Sequence, residues 1–546
     1  MKAMVQGKEK YFVGVDVGTG SARAGVFDIE GNLIASAAHD IEVFRYPGDM
    51  VEQSSDNIWD CVCASVKSAL KASGFAQTDI WGLGFDATCS LVVLDKDDQP
   101  LSVSQTGKND QNVMVWMDHR AADQADRINA TGHRVLDYVG GRISPEMETP
   151  KLLWLKEQIP ETYNGAGRFF DLVDFLTWRA TDDPSRSVCT VTCKWTYLAH
   201  ENAWDANYFE TIGLNELVDE NFERIGTSIV DAGTPLGGGL TPKAASELGL
   251  LPWLPVGAGL LDAHAGGVGT IGAPESDDAT VSRMAYVFGT SACTMSSTPE
   301  PSFVRGVWGP YYSAMVPGLW LIEGGQSAAG EALAQLVKFH PAYADAKAGA
   351  VQEGKHVLDY LVDKAALQIS VPSEAINLAK DLVVVPEFLG NRAPFADPSA
   401  KAIISGLDMD HSEDALIGLY VAGIAGLGYG LRQILEAQTA KGVQPDLVVM
   451  SGGAAENPIV KQLLCDASGI PFAESGSPEP VLLGSAMLGA VAAESFLNLE
   501  DAMEKMSSLG EGFAPAGGVT KELHAQKFQI FEALQASARK TQGTKS

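Results

Sequence analysis

At 546 residues the chain is too long for one ordinary core, and 46% hydrophobic with 20% charged residues is a globular composition. Lys plus Arg number 39 against 69 Asp plus Glu, a formal charge of −30, which argues against non-specific binding to nucleic acid or to an anionic membrane. Any anionic ligand must be held by a local set of donors.

The opening MKAMVQGKEK is basic, but YFVGVDVGTG follows. Glycine and aspartate interrupt any signal-peptide core there, so a cytoplasmic protein without a membrane anchor is expected. Residues 11–17 alternate like a strand, and ARAGVFD and LIASAAHDIEV continue across the turn DIEGN, so a β-meander opens the chain. Between its first strands lies DVGTGSAR. Gly18 and Gly20 let a backbone turn and approach a ligand, Thr19 and Ser21 add hydroxyls, and Arg23 adds a cationic fork. Asp16 at the strand end suits a hydrated Mg²⁺. The hairpin reads as a phosphate loop or as a tight turn with glycine for geometry. It is neither a Walker loop nor a GxGxxG turn into a helix, so a dinucleotide-dependent oxidoreductase is disfavoured.

Next, SSDNIWDCVCASVKSALKAS carries Ile58, Val62, Val66 and Leu70 four apart behind a Ser/Asp cap, which predicts an amphipathic helix. IWGLGFDATCSLVVLD then reads as a buried strand pair. In VWMDHRAADQADRI, Trp116, Asp118, His119 and Arg120 suit a polyol or a solvated helix start. The glycine-rich stretch LPVGAGLLDAHAGGVGTIGAP (254–274) is compatible with a hinge between two halves, or with a packed helix. Asp262 within it can accept a proton from a substrate hydroxyl, or can cap a helix. MAYVFGTSACTMSSTP repeats the strand–Gly-Thr–strand pattern, with Gly289 and Thr290 at the turn, so two similarly built halves could grip one triphosphate. In DLVVMSGGAAENPIVKQLL, Gly452 and Gly453 end a strand where a flat ring could lie, with Asn457 at its edge; a plain strand–turn–helix link is the other reading. VLLGSAMLGAVAA (481–493) is too short and glycine-rich to span a bilayer. The seven cysteines (Cys61, Cys63, Cys89, Cys189, Cys193, Cys293, Cys465) form no paired CxxC and no spacing to histidines. A reducing compartment is expected, and cysteine-bound metal is not.

With these pieces in this order, the chain resembles the FGGY carbohydrate kinases from about residue 11 to 500. DVGTGSAR is similar to that family's first phosphate motif, FGTSA to its second, GGAAEN to its adenosine motif and WMDHRA to its sugar-contact segment. PEFLGNRAPFADPSAKAIISGL (386–407) resembles the stretch before its C-terminal helical signature, and TPKLLWLKE (149–157) its Pro-Lys-Leu-x-Trp segment, although Glu148 replaces a small residue. The resemblance implies an α/β fold of two ribonuclease H-like domains, as in actin, sugar kinases and heat-shock ATPases, around a central cleft, here 11–272 and 273–546. It implies ATP and Mg²⁺ as cofactors, Asp262 as general base, and Asp16 with Asp262 facing the metal. Thr19, Gly20, Ser21, Arg23, Gly289 and Thr290 would meet phosphates, and Gly330, Gly452, Gly453 and Asn457 the adenosine. A small-molecule sugar is the expected partner, against Asp86, Thr88, Cys89, Trp116, Asp118, Arg120, Asp262 and His264, in a homodimer. TCSLV (88–92) resembles the D-ribulose kinase subgroup, and Asp-Ala-His (262–264) the ribulokinase branch, so D-ribulose is expected, with L-ribulose or ribitol as alternatives. A non-catalytic sugar sensor on the same fold is the rival from another class.

Overall fold

The computed structural model describes residues 10–273, 279–453 and 457–542. The expected meander is present: β1 (Tyr11–Val17), β2 (Ser21–Asp28) and β3 (Leu33–Asp40) pair antiparallel. Helix α1 (Ser55–Ser73) follows, with the Ser54 side chain accepting from Asn57 N and Ile58, Val62, Val66 and Leu70 buried. β4 (Ile80–Ala87) runs parallel to β1 and sets Asp86 beside Asp16. α2 (Val188–Trp195) precedes the two-residue β5 (Leu260–Leu261), parallel to β4, and the sheet order is β5-β4-β1-β2-β3. One expectation fails here. Leu91–Asp95 does not pair with β4 but joins a separate five-stranded sheet, because the chain turns at 88–90, where Thr88 N donates to Val17 O and closes the β1–β4 ladder.

The glycine-rich stretch after β5 is a helix, α3 (Asp262–Ile271), not a loose hinge. Beyond it lies a seven-stranded sheet: β6 (Arg283–Phe288), β7 (Ala292–Thr298), β8 (Trp308–Tyr312), β9 (Trp320–Gln326), β10 (Leu447–Ser451), β11 (Phe472–Ser475) and β12 (Leu509–Phe513), ordered β8-β9-β7-β6-β10-β11-β12. The β6–β7 hairpin with β10 parallel to β6 repeats the β1–β2 hairpin with β4 parallel to β1. Among its helices, α4 (Gly330–Lys338) follows β9, α5 (Glu413–Thr439) precedes β10, α6 (Pro458–Ser468) follows β10, and α7 (Pro480–Ala492) follows β11. By length and composition α5 could cross a membrane, but 83% of its apolar window is buried within the fold.

The sheets are locked by two helices packed through glycine. A Cβ at Gly14, Gly82 or Gly84 would lie 2.0, 2.0 or 1.9 Å from the carbonyl oxygens of Leu482, Gly489 and Ser485, so α7 lies directly on β1 and β4. A Cβ at Gly269 would lie 1.9 Å from Pro480 O, and one at Gly484 would lie 2.0 Å from Ala265 O, so α3 presses on α7. α3 in turn packs on β6 and β10. Each helix thus follows one sheet in sequence and covers the other or its partner helix. The glycines of 262–271 act by close approach rather than by flexibility.

Candidate active site

Three carboxylates meet at the C-terminal ends of adjacent parallel strands. Asp16 ends β1, Asp86 ends β4, and Asp262 follows β5 at the first turn of α3. Asp86 is fully buried; one oxygen accepts from Ser485 Oγ on α7, and the other has no hydrogen-bond partner among the described residues. Burial first, and then the charge of Asp16, push its carboxyl well above the usual range. Asp86 therefore lies beneath the cleft rather than on a sugar-facing wall, contrary to expectation, because α7 covers it. Asp262 is only partly buried, and its Oδ1 accepts from Ala263 N at 2.7 Å. It is the first residue of the helix rather than its N-cap, which is Leu261. Burial, and then Asp16, push its carboxyl up to about 6. A part-exposed carboxylate titrating near neutrality suits a general base. The carboxylate oxygens of Asp16 and Asp262, hard donors set side by side above buried Asp86, fit a divalent cation such as Mg²⁺.

Arg23 stands opposite Asp16 in the β1–β2 register. Its Nε donates to Asp16 Oδ2 at 2.8 Å, Nη2 donates to the same oxygen, and Nη1 donates to Glu479 Oε2 at 2.8 Å. The expected phosphate ligand is thus tied to two carboxylates, and it ties the first hairpin to the segment entering α7. In that hairpin Gly18 N donates to Ser21 O, and in the second Gly289 N donates to Ser291 O. None of Gly18, Gly20 or Gly289 has a positive φ, and an added Cβ would meet nothing closer than 3.7 Å of protein. Geometry does not demand these glycines; what they provide is open space beside backbone N–H groups. The second hairpin is held by the start of α4: Ala329 N donates to Thr290 O, and Gly330 N donates to Gly289 O at 3.0 Å. A Cβ at Gly452 (φ 101°) would sit 2.4 Å from Phe288 O, while Gly453 faces open space. Gly289, Thr290, Gly330, Gly452 and Gly453 are therefore brought together. Asn457 caps α6, its Oδ1 accepting from Ile459 N at 2.9 Å. Ala454, Ala455 and Glu456 of that motif lie outside the described residues.

The sugar-side expectations divide. Trp116 joins the two regions, its Nε1 donating to Thr19 Oγ1 at 2.9 Å and its backbone N to Ser90 Oγ. Thr88 Oγ1 lies 3.3 Å from Ser90 Oγ, and Cys89 is half-buried beside them. Asp118 and Arg120 do not form a polyol wall. The Arg120 side chain is 1% exposed and spends its donors on Asp118, Glu52 and Val103 O, 5.0 Å over the Trp154 ring. His264 is also turned away: its Nδ1 lies 3.0 Å from Cys189 Sγ and its Nε2 3.4 Å from Glu323 Oε2.

In their place the fold supplies Lys194 and Glu323, which no motif announced, and Arg392 from the 386–407 stretch. Lys194 of α2, 4% exposed, has its Nζ 4.7 Å over the Trp308 ring, and Arg392 lies 4.2 Å over the same ring. Arg392 Nη2 donates to Glu323 Oε1 at 3.3 Å. Burial opposes the Glu323 charge, but Lys194, His264 and Arg392 outweigh it and hold its carboxyl at about 2. Lys194 is also among the charges that act on Asp262 and Cys89, which puts this cation within electrostatic reach of the base. A lysine and a carboxylate held charged can position neutral hydroxyls by charge-assisted hydrogen bonds.

The model of the FGGY family of carbohydrate kinases, N-terminal domain, matches residues 11–269, and that of the C-terminal domain matches 284–493. An FGGY carbohydrate kinase domain-containing protein of Homo sapiens is 44% identical over 538 residues, covering 97% of each chain. A D-ribulokinase of Saccharomyces cerevisiae is 38% identical over 517 residues, covering 89% of this chain and 72% of its own. The structure of a ligand-bound xylulose kinase from Lactobacillus acidophilus superposes with a TM-score of 0.80 at 17% identity, covering 98% of this chain and all of that one.

Proposed function

We propose that this chain, which belongs to the FGGY family of carbohydrate kinases, moves the γ-phosphoryl group of ATP to the terminal hydroxyl of a pentulose, D-ribulose before others. What supports the sugar is the likeness to the yeast D-ribulokinase and the TCSLV segment beside Trp116. What carries the chemistry is Asp262, the one carboxylate of the strand-end cluster left open to the cleft.

In this reading residues 11–272 hold the sugar, with Glu323 added from the other half, and 273–546 hold the nucleotide. Lys194, Glu323, Thr88 and Trp116 orient the sugar. An Asp262 oxygen takes the hydroxyl proton as the new O–P bond forms and the β–γ bridging bond breaks, leaving ADP. The N–H groups of the Gly18–Ser21 and Gly289–Ser291 turns meet charge growing on the transferred group. Asp16 and Asp262, over buried Asp86, would hold Mg²⁺, which supplies charge neutralisation on the phosphates when bound.

A coupled ADP-release assay with Mg·ATP tests the reading, with D-ribulose, L-ribulose, ribitol, D-xylulose, glycerol and a no-sugar blank. Turnover led by D-ribulose is expected. Turnover led by another acceptor overturns the sugar, and ADP release that no acceptor stimulates overturns the kinase reading.

A further inference from the structure

Cys189 and Cys193 lie one helical turn apart on α2, and α3 brings His264 against them. The two sulfurs and a ring nitrogen of His264 all lie within 4.8 Å of one another, and all three residues are at most 1% exposed. The sequence hid this group, because the histidine lies 75 residues beyond Cys189 and no short spacing joins them. We propose that Cys189, Cys193 and His264 Nδ1 form a site for one thiophilic divalent cation, zinc first among them.

Two soft sulfurs and an imidazole suit zinc, and are a different ligand class from the oxygen cluster at Asp16 and Asp262. Zinc–sulfur and zinc–nitrogen bonds of about 2.3 and 2.0 Å set ligand atoms roughly 3.5–3.8 Å apart in a tetrahedral site. The Cys189 Sγ–His264 Nδ1 pair, now 3.0 Å apart as a hydrogen bond, opens by about half an ångström when a metal replaces the shared proton. The surroundings are already those of a metal-bound histidine. The other ring nitrogen faces the Glu323 carboxylate, which fixes the tautomer that offers Nδ1. Leu261 N donates to Cys189 Sγ at 3.4 Å, a contact that favours thiolate. Burial opposes ionisation of Cys189, but Cys193 and His264 outweigh it and hold its thiol below the usual range. The buried Tyr311 hydroxyl, which has no hydrogen-bond partner among the described residues, interacts electrostatically with Cys193 on the other side. Binding is an exchange without redox change: each thiol releases its proton to solvent, and two thiolates neutralise the dication in a dry setting. The bond network would pin α2 to the first turn of α3, two residues past Asp262.

The full chain is expressed in zinc-supplemented medium, purified without chelators and analysed by mass spectrometry for metals. About one zinc per chain is expected in the wild type and in Asp262→Asn, and less than about a fifth of that in Cys193→Ser. Cobalt-supplemented growth should give a thiolate-to-cobalt charge-transfer band in the near ultraviolet, lost in Cys193→Ser. A wild-type protein with neither bound zinc nor that band overturns the site, whatever the variant does. So does a Cys193→Ser protein of native circular dichroism that keeps the wild-type zinc content. None of these readouts depends on turnover, so failure of the kinase reading would show separately.

Discussion

Replacing Asp262 with asparagine should separate catalysis from stability, with opposite signs. The folded carboxyl sits at about 6 against a usual 3.8, so the fold binds its proton more tightly than the unfolded chain does. Stability from this group is fully present below about pH 4 and is lost as pH rises through about 6. That difference corresponds to roughly 3 kcal/mol as a ceiling, and to about 1–2 kcal/mol once water in the cleft screens it. Asp262→Asn removes that cost. Without divalent ions, its midpoint of thermal unfolding should match the wild type near pH 4 and exceed it by about one to three degrees above pH 6. Turnover should meanwhile fall by about 10²–10⁴, or roughly 3–5 kcal/mol of barrier, with the KM for ATP little changed. Scanning calorimetry from pH 4 to 8 and the coupled assay read both. A variant less stable at pH 7 would mean that Asp262 is a helix-stabilising carboxylate, and normal turnover would remove it as the base.

Gly84→Ala places a Cβ 1.9 Å from Ser485 O, so α7 must retreat by more than an ångström. Overpacking of this kind should cost about 1–3 kcal/mol, read by urea unfolding, and an unchanged midpoint would refute the contact. Lys194→Gln should raise the KM for the sugar at least ~10-fold and leave that for ATP alone, since only the sugar side loses its cation; equal changes in both would place Lys194 elsewhere. Trp116→Phe deletes the hydrogen bond to Thr19, worth about 0.5–1.5 kcal/mol, and should raise the KM for ATP by about 2- to 10-fold. An effect confined to the sugar would show that the indole does not support the phosphate hairpin.

The parts legible in the sequence were those whose chemistry is local. DVGTGSAR and FGTSA each carry turn, hydroxyl and strand in a few residues, and the α1 stripe repeats every fourth residue. What could not be read depends on distant partners. Asp86 looked like a sugar ligand because nothing near it shows Ser485, 399 residues on, closing over it. Arg120 looked available because Glu52, 68 residues earlier, takes its guanidinium. Lys194, Glu323 and Arg392 stand singly in α2, β9 and a loop, with no spacing that marks them as a set. The glycines of 262–271 were visible, but the helix they serve lies some 220 residues downstream.

The seat of α7 also bears on how the chain is made. A ribosome releases β1 and β4 long before residues 480–492, so the glycine face of the first sheet emerges bare and waits for the rest of the polypeptide. That half cannot finish on its own; its last layer arrives with residues 480–492. We expect a nascent chain ending at residue 479 to be cut by protease within its first half at sites that one ending at residue 500 protects. Maturation of the cleft would then wait for residues 480–492, so a chain broken off before them would carry the first phosphate hairpin without a settled carboxylate cluster behind it.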